Sequence, residues 1–202
     1  MDIMKARSQL SRSETTRIRV LDAAVACVAE EGFQPANLAR IAERAGVTTG
    51  AIQHQFGDKA ALLAAVVERG FERLVDRLVR LPGGASSLEA RIASLVRALW
   101  EGYDAATTRA SVEILLAMRG DEAFRVRSLG FLSGVRERID RLWMGTFWDL
   151  EIQRVRHVEA QRLVFTTLNG LAVERILAPG MPDPEPDLER LGRGVLDIVR
   201  KE

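Results

Sequence analysis

Apolar residues return every three or four positions through most of this 202-residue chain, and almost nowhere do they alternate. That spacing gathers apolar side chains on one face of a helix, whereas a half-buried strand needs a period of two. The chain is therefore expected to be all-α, with about nine helices. A first helix starts near Ser13 or Thr15, carries Ile18, Leu21, Val25 and Val28 inward, and closes at Gly32 with Phe33 folding back on it. Two short helices follow, the first capped by Asn37 and carrying Leu38, Ile41, Ala42 and Ala45, the second running from Thr48 or Thr49 to about Gln55. Gly46 breaks between them and Val47 packs inward. Asp58 caps a long fourth helix with Leu63, Val67, Phe71, Leu74 and Leu78 inward, ended by Leu81-Pro82-Gly83-Gly84. Ser86 to Glu89 reads as a capping box opening a fifth helix. Helices are expected over about 108–118, 122–148, 154–177 and 187–201, with a proline-rich connector from Pro179 to Pro186 before the last.

Composition narrows the function classes. One cysteine, Cys27, rules out a disulfide framework, and its apolar helix face suits a small buried hydrophobe better than a reactive thiol. Two histidines, His54 and His157, lie far apart without partner ligands, so no metal site and no cofactor are expected. No glycine-rich phosphate loop or nucleophile-base arrangement points to an enzyme. No signal-peptide core and no apolar stretch of membrane length is present, which places the protein in the cytoplasm, away from membranes. Net charge is only +1, yet residues 1–19 hold Lys5, Arg7, Arg12, Arg17 and Arg19 against Asp2 and Glu14. A basic leader thus precedes a nearly neutral body. Arg7 and Arg12 can reach a flanking minor groove as an arm, or belong to a solvated tail.

Residues 37–56 carry the chemistry. To read DNA, a helix must enter the major groove by its leading end while a second helix holds it across a tight turn. Ala42 and Ala45 permit a close crossing, Gly46 makes the turn, and Val47 with Ile52 anchors the second helix. Thr48, Thr49, Gly50, Gln53 and His54 then face outward, the first three small enough for the helix N-terminus to approach phosphate. Gln53 can pair with adenine in bidentate fashion. Lys59 sits in the first turn of a helix, against the dipole, which an external phosphate would explain. The plainer alternative is a solvated polar helix.

Gly32-Phe33, the run Leu38 to Thr48, the run Gly50 to Lys59 and Leu62-Leu63 together resemble the DNA-binding domain of TetR-type repressors over about residues 14–74. Beyond that, only length and helix pattern agree. The resemblance implies an arm at 1–13, a three-helix DNA-binding domain at 14–74 with its helix-turn-helix at 37–56, and an effector-binding and dimerisation domain at 75–202. It implies a homodimer that binds a double-stranded operator and is released by a small molecule; an effector-independent DNA-binding dimer is the alternative. Three positions depart from the common pattern. Ala36 cannot cap where relatives often carry Thr or Ser, whereas Asn37 can cap and touch phosphate. Arg40 replaces a frequent acid and is either a phosphate contact or a solvated arginine. Gln53 stands where tyrosine is commonest, as base reader or phosphate clamp. His54 neighbours phosphate or packs on the fourth helix.

The last two helices supply a dimer surface by the same reasoning: Val164, Leu168 and Leu171 on one, Leu188, Leu191, Val195 and Ile198 on the other, with Gly170, Gly192 and Gly194 allowing close approach. Their alternative role is to face their own subunit. Trp100, Tyr103, Met118, Phe131, Trp143, Phe147 and Phe165 would line a mainly apolar effector pocket with Glu113 or Asn169 as polar anchors, or else form plain core. The cluster of Trp143, Phe147 and Trp148 stands out within it.

Overall fold

Helical periodicity is realised throughout. The computed structural model describes residues 2–80, 87–178 and 180–200, with side chains from Ser13 onward. Among the described residues there are nine helices and no strand: α1 (Asp2–Glu31), α2 (Leu38–Ala45), α3 (Thr49–Phe56), α4 (Lys59–Val79), α5 (Leu88–Asp104), α6 (Ala106–Ala117), α7 (Glu122–Thr146), α8 (Arg154–Leu177) and α9 (Glu185–Arg200). Helix α1 begins at Asp2 rather than near Ser13, so the leader is continuous with it; the Arg7 and Arg12 side chains lie outside the described residues, as do Leu81 to Gly84 and Pro179. The cap of α5 is Ser87, whose Oγ accepts from the Ala90 N–H at 3.2 Å. The expected box partner, Ser86, lies outside the described residues.

The chain forms two compact units, residues 1–70 with 110–129, and 71–109 with 130–202. A division at 74/75 assigned all of α6 and α7 to the second half. Instead the latter part of α6 and the start of α7 belong to the first unit. Its core is built from Val20, Ala24 and Val28 of α1, Ile41 of α2, Ile52 of α3, Leu62, Leu63 and Val66 of α4, and Ile114 of α6, all at most 1% exposed. Each short helix thus contributes one branched side chain that fixes its orientation. Cys27 is fully buried and free, and burial pushes its thiol pKa up, as befits a small core hydrophobe. Ile18, at 46% exposed, falls off the stripe expected of it.

In the second unit α5, α8 and α9 pack on one another around Leu95, Leu99, Val164, Leu168, Leu191 and Val195. A Cβ on Gly102 of α5 would lie 2.3 Å from Cδ1 of Leu74, so only glycine lets α4 and α5 approach this closely. Trp143 and Phe147 extend the core as a tilted ring pair with centroids 5.4 Å apart, and Phe147 meets the His157 ring at 6.0 Å. Trp148, 82% exposed, takes no part. His157 is only 4% exposed, and its Nδ1 accepts a hydrogen bond from Trp143 Nε1 at 3.3 Å.

Burial, followed by the positive charge of Arg154, lowers the His157 pKa below 6.5. The Trp143 bond acts in the same sense, because only the neutral ring offers an acceptor at Nδ1. An unfolded chain takes up this proton near pH 6.5, the folded chain only at lower pH, so stability falls as pH drops through the unfolded value and levels off below the folded one. Denaturant unfolding at pH 7.5 and pH 5.5 checks this. The loss of stability between the two is expected to be smaller for His157→Asn than for the parent, and equal losses would uncouple His157 from the proton.

Candidate nucleic-acid interface

Helix α2 starts because Asn37, in extended backbone, accepts the Arg40 N–H on its side-chain oxygen at 2.9 Å. Ala36 just before it is fully buried, which accounts for a residue that neither caps nor contacts a ligand. The helix stops at Gly46, whose φ of 63° is left-handed, with its N–H turned to Glu43 O at 3.1 Å and the Val47 N–H to Ala42 O at 3.0 Å. Arg19 of α1 donates to the carbonyls of Ala45 and Gly46. A cation at the C-terminal end of α2 complements the helix dipole. A Cβ on Gly46 would stand 2.9 Å from that guanidinium, the movable end of a long side chain, so it is the left-handed φ that calls for glycine. Nothing in the local sequence announces Arg19, which lies a whole helix earlier.

Helix α3 is short and anchored from one side by Ile52. Thr48 caps it, Oγ1 accepting from the Ala51 N–H at 3.1 Å. That hydroxyl keeps its hydrogen as a donor. Thr48, Thr49, Gly50, Gln53 and His54 are all exposed, with Thr49 beside Gln53 and Gly50 beside His54 at helical spacing of four. His54 therefore does not pack on α4. Gln55 turns back instead, donating to the Ser13 carbonyl at 3.4 Å, and Arg17 covers the Phe56 ring at 4.9 Å, so the rear of α3 is held to α1.

The charges around this helix pair are mostly neutralised from within. Arg40 is paired within the protein: Nε meets Glu31 at 3.0 Å and the other arm Glu43 at 3.0 Å, and the two bonds raise its pKa. An arginine in the first turn of α2 opposes the dipole, and these acids offset that. Arg44 pairs with Glu30 at 2.6 Å and lies 3.6 Å from Glu31. Lys59 differs. Its ammonium rests over the Phe33 ring at 5.0 Å, a cation–π contact that positions the charge without cancelling it.

The pocket residues expected from sequence are not gathered in one unit. Trp100, Tyr103, Trp143 and Phe147 are buried in the second unit's core, and Phe131 and Phe165 pack against it half-buried. Asn169 is exposed; its side chain hydrogen-bonds the Tyr103 oxygen, while burial pushes the Tyr103 hydroxyl up to about 12. Glu113 and half-buried Met118 fall in the first unit, and the Glu113 carboxylate is taken by the Phe33 N–H at 2.6 Å. The cavity bounded by Leu78, Leu99, Ile139, Trp143 and Phe165 measures about 10 Å³, room for a single water.

Val164, Leu168, Leu188, Leu191 and Val195 are buried in their own subunit, with Leu171 and Ile198 packed half-buried against them. A stripe of period 3.5 marks a buried face without saying which helix buries it. What α8 and α9 leave open is an adjacent groove of about 550 Å³, lined by Leu163, Thr166, Thr167, Gly170, Leu171 and Glu174 of α8 and by Asp187, Arg190, Leu191 and Gly194 of α9. A Cβ on Gly194 would sit 3.1 Å from Leu163, whereas one on Gly170 would meet nothing within 4 Å.

No group of three or more potential metal ligands and no helix long and apolar enough to cross a membrane occurs among the described residues. Residues 20–66 match the family model for bacterial regulatory proteins of the tetR family. The chain is 24% identical over 197 residues to the transcriptional regulator CymR of Pseudomonas putida, covering 98% of this chain and 95% of that one. It is 38% identical over 92 residues to the regulator BetI of Escherichia coli, a match spanning 44% of this chain and 46% of the relative. The crystal structure of a transcriptional regulator from Rhodococcus sp. Rha1 shares the fold, with a TM-score of 0.70 at 20% identity over 91% of this chain and 95% of that one. With its helix-turn-helix formed by α2 and α3, residues 20–66 form a DNA-binding domain of the tetR type, and the chain is a DNA-binding transcriptional regulator, not an enzyme.

Proposed function

We propose that the protein is a cytoplasmic homodimeric repressor whose two α3 helices enter successive major grooves of a palindromic operator, and that a small, mainly apolar effector releases it. Gly50 carries the interface assignment. A glycine in a helix costs about 1 kcal/mol relative to alanine. Inside the chain nothing calls for it, since a Cβ there would only touch Thr48 Oγ1 at an ordinary 3.8 Å. Close approach of an external surface does. Beside it stand Thr49, Gln53 and His54, which between them offer a methyl, hydroxyl, amide and ring N–H toward base edges and phosphate. Asn37 and Thr48 spend their oxygens on caps, and Lys59 supplies an uncancelled cation at the flank.

Two copies are required because half-sites lie about 34 Å apart, one turn of DNA. The α8–α9 groove fits a second copy of the same two helices. Gly170 lets a partner helix approach, and Leu163 and Leu171 give that contact an apolar centre. The cavity of only 10 Å³ beside Trp143 and Phe165 favours a second reading, a regulator that works without a small effector, while the space of about 140 Å³ beside Trp100 and Arg175 favours the first. Thermal denaturation with a panel of apolar and aromatic compounds separates the two. The effector reading expects at least one compound both to raise the melting temperature and to weaken DNA binding, and a panel without such a compound favours the second.

Duplexes selected by the protein from random DNA give the operator. Gln53→Ala is then expected to change preference among the selected sequences if Gln53 reads a base, whereas uniform weakening would make it a phosphate clamp. Lys59→Ala should weaken every sequence alike and reduce the salt slope by about one; an unchanged slope removes Lys59 from the interface. Gly170→Arg adds a charge where the isolated chain has open space, so it should leave the fold intact while light scattering shows monomers in place of dimers. Dimers as stable as the parent's would move the interface elsewhere.

A further inference from the structure

The Glu113 carboxylate bonds a backbone N–H eighty residues away in sequence. Helix α1 ends at Glu31 and the chain turns at Gly32, φ 86°, whose N–H reaches back to Val28 O at 3.0 Å. The N–H of the next residue, Phe33, commonly folds back onto the helix as well. Here it points to Glu113 Oε1 at 2.6 Å, on the part of α6 that belongs to the same unit as α1 to α3. The bond forms against its electrostatic surroundings. A carboxylate beside the C-terminal end of a helix opposes the dipole, and Glu30 and Glu31 are already there. Only a specific donor offsets that, and charge-assisted hydrogen bonds are about twice as strong as neutral ones.

Phe33 is held from two sides. Its amide meets Glu113 and its ring carries the Lys59 ammonium at 5.0 Å. Four residues on, Asn37 donates its N–H to Pro35 O at 2.7 Å and caps α2. Phe33 therefore governs the corner from which the helix-turn-helix departs and the ring on which the flanking cation rests. Two residues earlier on α6, Ser111 donates to Val66 O of α4 at 3.3 Å in a fully buried setting, which fixes the height at which Glu113 stands.

We propose that Glu113 is a positioning residue for DNA binding, acting through the Phe33 N–H to set the α1–α2 corner and the Lys59 platform. The proposal rests on the DNA-binding role and deepens it. Glutamine keeps an acceptor oxygen at the same reach, whereas alanine keeps none, so the pair separates the bond from the bulk.

With full-length protein and the duplexes it selects from random DNA, Glu113→Ala is expected to bind about ten-fold more weakly, the loss typical of one hydrogen bond to a charged group. The weakening should be equal across sequences, and Glu113→Gln should recover most of it. Hydrogen exchange at the Phe33 amide should accelerate in the alanine variant and stay near the parent rate in the glutamine variant, a readout independent of DNA. Parent-like affinity of Glu113→Ala for duplexes the parent does select, an unchanged Phe33 exchange rate, or a glutamine variant as weak as alanine would each overturn the assignment. A parent that selects no duplex would instead count against the interface itself, with the exchange result still deciding the bond. If the alanine variant does not fold, Phe33→Leu takes its place: it should weaken DNA binding and be non-additive with Lys59→Ala. Full additivity would overturn the proposal equally.

Discussion

Gly46 and Arg19 meet at the point where α2 gives way to α3. The left-handed backbone of Gly46 turns the chain, and the Arg19 guanidinium grips the last carbonyls of α2 from α1. Eight-residue helices are too short to persist alone in water, because nucleation must be offset by packing. Each therefore borrows its order from outside: α2 through Ile41 and this clamp, α3 through Ile52 and the Gln55 bond to Ser13. Apart from the Thr48 cap, the outward residues of α3 are then free to be small and polar, since none of them contributes to the core.

Much of this was legible in the sequence because it depends on near neighbours. The Asn37 cap, the Gly46 turn, the burial of Ile52 and the exposure of residues 48–50, 53 and 54 follow from positions a few residues apart. The fates of Arg40 and Glu113 do not. Arg40 meets Glu31 across a helix boundary, and Glu113 meets Phe33 from another part of the chain, so neither pairing leaves a periodic trace. Side-chain type alone left each open, Arg40 between a phosphate contact and a solvated arginine and Glu113 between a polar anchor and plain core, whereas in the structure both pair within the protein. The early start of α1 was missed because its first residues carry charge rather than an apolar stripe.

Amphipathic pattern likewise identified which faces of α8 and α9 are buried, but not by what. Apolar area is satisfied by any dry neighbour. In the second unit the strongest stripes serve the subunit's own interior, while the open groove alongside is lined by leucines, threonines and glycines together with the charged Glu174, Asp187 and Arg190. A groove open to water cannot be as apolar as a core, so its signal in sequence is weaker. The same holds for the aromatics: Trp143, Phe147 and His157 close over one another because their rings and one N–H find partners there.

The internal pairing of Arg40 and Arg44 with Glu30, Glu31 and Glu43 reaches beyond the folded chain. Non-specific attraction to a duplex comes almost entirely from cations that displace counterions. Arginines balanced in this way add little to that sequence-blind attraction, which leaves it to Lys59 and the basic leader. At the proposed interface, telling one sequence from another then rests on how well a few uncharged side chains on α3 fit the bases.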